Sequence, residues 1–197
     1  MADILKLSTP KGKFIYPHLN NPDTKFNADG LFHVKLSLSS EASENLIKKL
    51  EEEATKSFNN FKEAGGKSLT KADYPWKLEE DTGNYIFNFK LNHKAKSRKT
   101  GNEWEQKPIV YDSELKPFDM KINIWGGTQG KISFEVNPWN VSGKAGISLR
   151  LKAVQIIDLV EGNSGDGSQF GFTQEEGYVM TNDSIETNED INDQDDF

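Results

Sequence analysis

The chain has 197 residues, 28% of them charged and 11% aromatic, with no cysteine and a net charge of −7. That length allows one domain with a substantial core plus a tail. The lack of cysteine excludes disulfides and thiolate metal sites. The opening MADILKLSTPKGKF has no apolar run of signal-peptide length. Nowhere do about 18 apolar residues run together, so no membrane span is expected.

The charge is unevenly placed. Residues 1–160 carry 24 bases against 20 acids, a net +4, and residues 161–197 carry 11 acids and no base, a net −11; together they return −7. A basic body joined to an acidic tail points to nucleic acid or a basic protein partner. The plainer alternative is that the tail only aids solubility.

In chain order, Lys13-Phe-Ile-Tyr16 predicts a short strand, and residues 18–26 are rich in turn formers. Phe32, Val34, Leu36 and Leu38 alternate with polar residues, the period of a half-buried strand. Residues 41–63 predict a helix, with Ile47, Leu50, Ala54, Phe58 and Phe61 on one face. Ser40 is its expected cap, Glu41 and Glu44 suit its N-terminal end, and Gly65-Gly66 stops it. Residues 66–83 read as irregular.

Strands follow. Alternation predicts them over 87–91, 120–124, 132–136 and 147–151, and from Ala153 to Val160 both faces turn apolar, as in a covered strand. Several short strands divided by Gly-Gly, Asn-Pro and Gly-Lys-Ala-Gly predict a barrel or a sandwich. Past Val160, EGNSGDGSQ reads as a flexible linker. The last stretch, from Asp183 to Phe197, holds seven acids and no base, so it is expected to be disordered.

Catalytic signatures are missing. His18, His33 and His93 stand far apart in sequence, with no metal-ligand spacing. Gly126-Gly-Thr-Gln-Gly130-Lys131 is one residue short of a phosphate loop, with Ile132 where a hydroxyl would hold magnesium, so a hairpin turn is the simpler reading. No nucleophile elbow is present. The expectation is a protein without enzymatic activity, cofactor or metal.

The outward strand positions carry the signal. Lys35, Lys90, Arg150 and Lys152 lie opposite the apolar faces of their strands. Lys90 leads into Lys94, Lys96, Arg98 and Lys99, read as a mobile basic loop. Trp104, Tyr111, Trp125 and Trp139 stand nearby, whereas Phe87, Phe89 and Phe134 face the core. Single-stranded DNA needs this mixture, because its phosphates want a positive groove and its unstacked bases stack on aromatic rings. Taken singly, an outward lysine is ordinary soluble surface and a strand aromatic is ordinary core. The cluster is the argument.

The tail fits the same scheme. An acidic chain on a linker imitates a phosphate backbone and competes for the basic groove. Once displaced, Asp190, Asp193, Asp195, Asp196 and the terminal Phe197 would meet a basic, apolar pocket on another protein.

Three segments, TPKGKFIYPHLNNPDTKFNADGLFHVKLSL, FEVNPWNVSGKAGISLRLKAVQIIDL and the closing DDF, resemble the single-stranded DNA-binding proteins of tailed bacteriophages. The resemblance implies a mainly β chain built as a five-stranded Greek-key OB-fold barrel, with the 41–63 helix packed on it and an acidic tail. It implies domains at 1–160 (OB fold), 161–182 (linker) and 183–197 (partner-binding tail). It further implies coating and annealing of single strands in phage replication and recombination, in the cytoplasm of the infected bacterial host. Phage DNA polymerase and helicase–primase would be recruited through the tail, and a homodimer is implied too. Two rival readings remain: a β-sandwich structural or adaptor protein of a virion, and a nucleic-acid enzyme, which would need a carboxylate or histidine cluster.

Overall fold

The structure is a computed structural model, and it describes residues 4–25, 27–65, 68–97, 100–160, 173 and 175–177. The expected tail, with Asp190, Asp193, Asp195, Asp196 and Phe197, lies outside the described residues, as do Arg98 and Lys99. The chain divides into two units, Met1–Gly162 and Asn163–Phe197, and all elements below belong to the first.

They run β1 (Lys6–Ser8), β2 (Gly12–Asp23), β3 (Leu31–Ser39), α1 (Ser40–Glu63), β4 (Thr70–Lys71), β5 (Trp76–Glu79), β6 (Asn84–Asn92), β7 (Lys94–Lys96), β8 (Glu103–Glu105), β9 (Ile109–Tyr111), β10 (Gln129–Val141) and β11 (Lys144–Asp158). Following the pairings, β2 lies beside β3, β3 beside β6, β6 beside β11, β11 beside β10, and β10 returns to β2. Five strands therefore close into a ring, antiparallel except for β6 and β11. This is the Greek-key OB barrel, and its closure rules out the open two-sheet sandwich.

The barrel is filled by alternate side chains. Phe14, Val34, Leu36, Phe87, Phe89, Ile132, Phe134, Leu149 and Leu151 are buried, and the Phe89 and Phe134 rings meet at 5.0 Å across the interior. The seam between β2 and β10 is short. Only Gly12↔Gly130 and Lys13↔Gln129 are in register there, extended by the Phe14 N–H to the Thr128 carbonyl at 2.8 Å and the Gly127 N–H to the Phe14 carbonyl at 2.9 Å. Glycine is required at both ends of the first pair. A Cβ on Gly12 would sit 2.6 Å from the Ser37 carbonyl oxygen, and one on Gly130 would run into the Gln155 backbone.

Helix α1 follows β3 directly, precedes β4 and β5 on the way to β6, and packs on the barrel. Its cap is Ser39, one residue before the expected one, with Oγ accepting the Ala42 N–H at 3.3 Å. Its buried side chains are Ser43, Leu46, Leu50 and Ser57, while Ile47, Phe58 and Phe61 sit half-buried at the margin. The face is thus turned slightly from the predicted one, because Ser43 and Ser57, polar but small, let the helix approach the strands.

Four expectations are corrected. Residues 120–124 are not a strand. The Asn20 side chain donates to the carbonyls of Met120 (2.9 Å) and Ile122 (2.8 Å) and accepts the Ile124 N–H (2.9 Å). One amide thus supplies the partners a neighbouring strand would have provided. The turn at Gly126-Gly127 consequently leads into β10 rather than joining two paired strands. The basic stretch from Lys94 is not a loop throughout, since β7 and β8 pair as a hairpin. The 66–83 segment contains β4 and β5. Finally, β2 runs through Pro17 and Pro22, where turn formers predicted a break. No helix among the described residues is long and apolar enough to cross a membrane.

Candidate nucleic-acid interface

Closure of the barrel aligns its outward side chains in rows. His18 of β2 pairs with His33 of β3, His33 with Lys90 of β6, Lys90 with Arg150 of β11, and Arg150 with Glu135 of β10. Lys35 lies two residues along β3 on the same face, opposite Asn88. Three strands distant in sequence, β3, β6 and β11, thus place Lys35, Lys90 and Arg150 on one wall.

The cations on that wall are not equivalent. Glu135, on the outer side of β10, is 8% exposed and lies beneath three of them: Lys6 (4.0 Å), Arg150 (3.9 Å) and Lys152 (3.7 Å). Arg150 also donates to Gln106 Oε1 at 2.9 Å. On the hairpin, Lys96 pairs with Glu103 at 2.9 Å. Among the described residues, Lys35, Lys90 and Lys94 have no carboxylate within salt-bridge distance. All three are exposed. The sequence showed the bases but not the acids that neutralise them, because those acids come from other strands.

The rings divide in the same way. Trp104 and Trp125 are about half exposed, at 47% and 49%. In the hairpin Trp104 is opposite Ala95, while Lys94 and Lys96 are opposite Glu105 and Glu103. Cross-strand partners share a face, so Trp104 stands on the side away from the lysines. Tyr111 is half-buried beside Gln155 of β11. Trp139 is also half-buried, its indole lying over Gly146 near the β10–β11 turn.

The residue that sequence reasoning missed is Tyr16. It is 73% exposed, and its φ of +47° is uncommon for a side-chain-bearing residue. Between Ile15↔Lys35 and His18↔His33, β2 spends two residues, Tyr16 and Pro17, against the single Val34. This is a β-bulge, a device that re-aims a side chain. The Tyr16 ring comes to 5.9 Å from the Lys35 ammonium, within cation–π reach. The Gly126 turn that follows Trp125 runs against the backbone of Tyr16 and Phe14. The dipeptide Tyr-Pro inside a strand was the available clue.

Strand pairing also corrects the view that the histidines are apart. The His18 and His33 rings are 4.5 Å apart, and His33 Nε2 lies 3.4 Å from Asp23 Oδ2. Burial pushes the His33 imidazole below the usual histidine range, against the opposing pull of Asp23. The Asp23 carboxyl is lowered, chiefly by the backbone N–H that Lys25 donates to it.

A closed five-stranded barrel with cations and exposed rings on its outer wall defines an OB-fold binding module. The family model for "Single-stranded DNA-binding protein, Bacteriophage T7" matches residues 12–159, and the chain belongs to that family of non-catalytic binding proteins. The single-stranded DNA-binding protein of Escherichia phage T7 is 26% identical over 111 residues, covering 55% of this chain and 47% of its own. Its counterpart in Enterobacteria phage T3 is 24% identical over 185 residues, covering 85% and 79%. The chain thus spans about half the length of the first relative and about four fifths of the second. Among solved structures, gp2.5, the single-stranded DNA-binding protein encoded by bacteriophage T7, superposes with a TM-score of 0.71 at 20% identity, covering 91% of this chain and all of that one. The single-stranded DNA-binding protein of bacteriophage Enc34, in complex with single-stranded DNA, gives 0.57 at 13% identity, covering 81% and 89%.

Proposed function

We propose that this chain binds single-stranded DNA without sequence preference along the outer wall of β2, β3, β6 and β11. The observation that carries the reading is an unneutralised cation against an exposed ring: Lys35 lies 5.9 Å from the outward-turned Tyr16 ring, with the exposed Lys90 on the neighbouring strand of the same wall. Phosphates would lie along Lys35, Lys90 and Lys94, with the carboxylate-paired Lys96, Arg150 and Lys152 adding a weaker field, and Arg98 and Lys99 belonging to the same basic run of sequence. Bases would stack on Tyr16 and Trp125, with Trp104, on the far face of the hairpin, and Tyr111 and Trp139 at the periphery. Rings serve single strands better than duplexes, because a duplex hides its base faces.

The family relationship supports a wider role: coating and annealing single strands during phage replication, recombination and repair in the host cytoplasm. In that role the acidic segment ending Asp195-Asp196-Phe197 both competes with DNA for the wall and recruits the phage polymerase and helicase–primase. Homodimer formation belongs to the same proposal.

The test is fluorescence anisotropy with a labelled oligo-dT across a salt series, using the full chain and a truncation ending at Val160, which retains every described strand. The truncation is expected to bind more tightly, with log K falling against log[salt] at roughly −0.7 per phosphate contacted. No binding by either chain at low salt overturns the proposal.

A further inference from the structure

The outer wall carries a second group of side chains that DNA binding does not account for. His18, Asp23 and His33 each offer one ligand atom, and these three atoms all lie within 4.8 Å of one another. We infer that they form a binding site for a first-row transition divalent cation of the zinc type.

The geometry is built by the backbone. His18 and His33 are brought together by direct cross-strand register. Asp23 returns to the same place because β2 arches out after His18, inserting four residues against one before Asp23 pairs with Leu31. The carboxylate is oriented as well as near. Its Oδ1 accepts the Lys25 backbone N–H at 2.9 Å, leaving Oδ2 turned to His33. Such a hydrogen bond to a ligating group is what fixes the direction of a metal ligand.

The spacing is compatible with neighbouring metal ligands, since His33 Nε2 and Asp23 Oδ2 are 3.4 Å apart. Tetrahedral bonds of about 2.0–2.1 Å place neighbouring ligand atoms roughly 3.4 Å apart. His33 and Asp23 therefore already stand at ligand separation, and the exposed His18 ring needs only side-chain rotation to join them. Two imidazoles and one carboxylate suit zinc and its neighbours, whereas magnesium and calcium want oxygen. His18 is exposed and the other two residues are only half-buried, so solvent has access to the site. Lys90, the cross-strand neighbour of His33, opposes the ion's charge, so the site should be of moderate affinity rather than a structural zinc centre.

The experiment is a competition titration of the tag-free full chain with Zn2+ against a chromophoric indicator, with Mg2+ as the contrasting ion. The expected result is one Zn2+ per chain and a rise in unfolding temperature with zinc, with no response to Mg2+. His18→Gln and Asp23→Asn should each weaken zinc binding at least about tenfold. His18 is exposed, so His18→Gln keeps the fold even if His33→Gln does not. The acidic segment is present in every variant and cannot mimic the difference. Absence of stoichiometric zinc, or zinc that binds the wild type and His18→Gln equally, overturns the inference. Neither outcome bears on DNA binding, which is read with an oligonucleotide in chelator.

Discussion

Tyr16 and Glu135 show how single residues set the character of the wall. The bulge that exposes Tyr16 costs backbone strain, since a positive φ disfavours any residue with a Cβ. A strained, outward ring with a lysine above it is a poor device for folding and a good one for holding a base. Replacing Tyr16 and Trp125 together by alanine should weaken oligonucleotide binding by roughly 1–3 kcal/mol per ring that stacks, with unchanged circular dichroism. An unaltered Kd in the folded double variant would remove these rings from the interface. Glu135 acts in the opposite sense, since one nearly buried carboxylate restrains Lys6, Arg150 and Lys152. Glu135→Gln should tighten binding at low salt and steepen the salt dependence by about 0.7 for each cation freed to meet a phosphate. A salt series run in parallel with wild type decides it, and an identical slope would show that these cations never reach DNA.

Among the elements, the 119–127 segment is tied to β2 chiefly through one side chain, beside its own turn hydrogen bonds at Asp119 and the Gly127 N–H to the Phe14 carbonyl. Asn20 replaces a missing strand by three hydrogen bonds to Met120, Ile122 and Ile124. Asn20→Ala leaves the part-buried Met120 carbonyl and Ile124 N–H without this partner and should cost about 1–3 kcal/mol, read as a lower urea midpoint at unchanged slope. A midpoint equal to wild type would mean that water replaces the side chain without loss. This is also where sequence reasoning met its limit. Helix α1 and the alternating cores of β3, β6, β10 and β11 were legible because burial on one face writes a period into the chain. Met120, Ile122 and Ile124 have the same period, yet form no strand, because alternation records which groups are buried and not what satisfies the backbone. The converse holds for β2, whose Pro17, Asn20 and Pro22 hide a strand that is irregular and bulged. At the interface, Lys35 and Lys90 were readable as outward cations and Tyr-Pro hinted at the bulge at Tyr16, but the burial of Glu135 among three cations and the His18–His33 pair depend on contacts between strands that no local pattern contains.

For the molecule as a whole, the charge division between residues 1–160 and 161–197 sets how binding responds to medium. If the acidic segment competes with DNA through unspecific attraction, the advantage of the chain ending at Val160 should shrink as salt rises, because the screening length falls from about 10 Å at 0.1 M to about 3 Å at 1 M. Affinities of the two chains converging by high salt would support that mechanism. A gap that persists would instead indicate an apolar contact by Phe197.

The seam between β2 and β10 has a consequence for motion. Two joints of the ring are short, β6–β11 and β2–β10, each with two registered pairs, and in the second one of these is glycine against glycine. Without side chains to interlock, that joint resists shear poorly, while the long β10–β11 hairpin beside it is braced along its length. The barrel is therefore a cylinder with a built-in split line. Strain from a strand of DNA pulling on the Tyr16 bulge, only two residues beyond Phe14, would be relieved there first, letting the wall flatten or curl while the core stays packed.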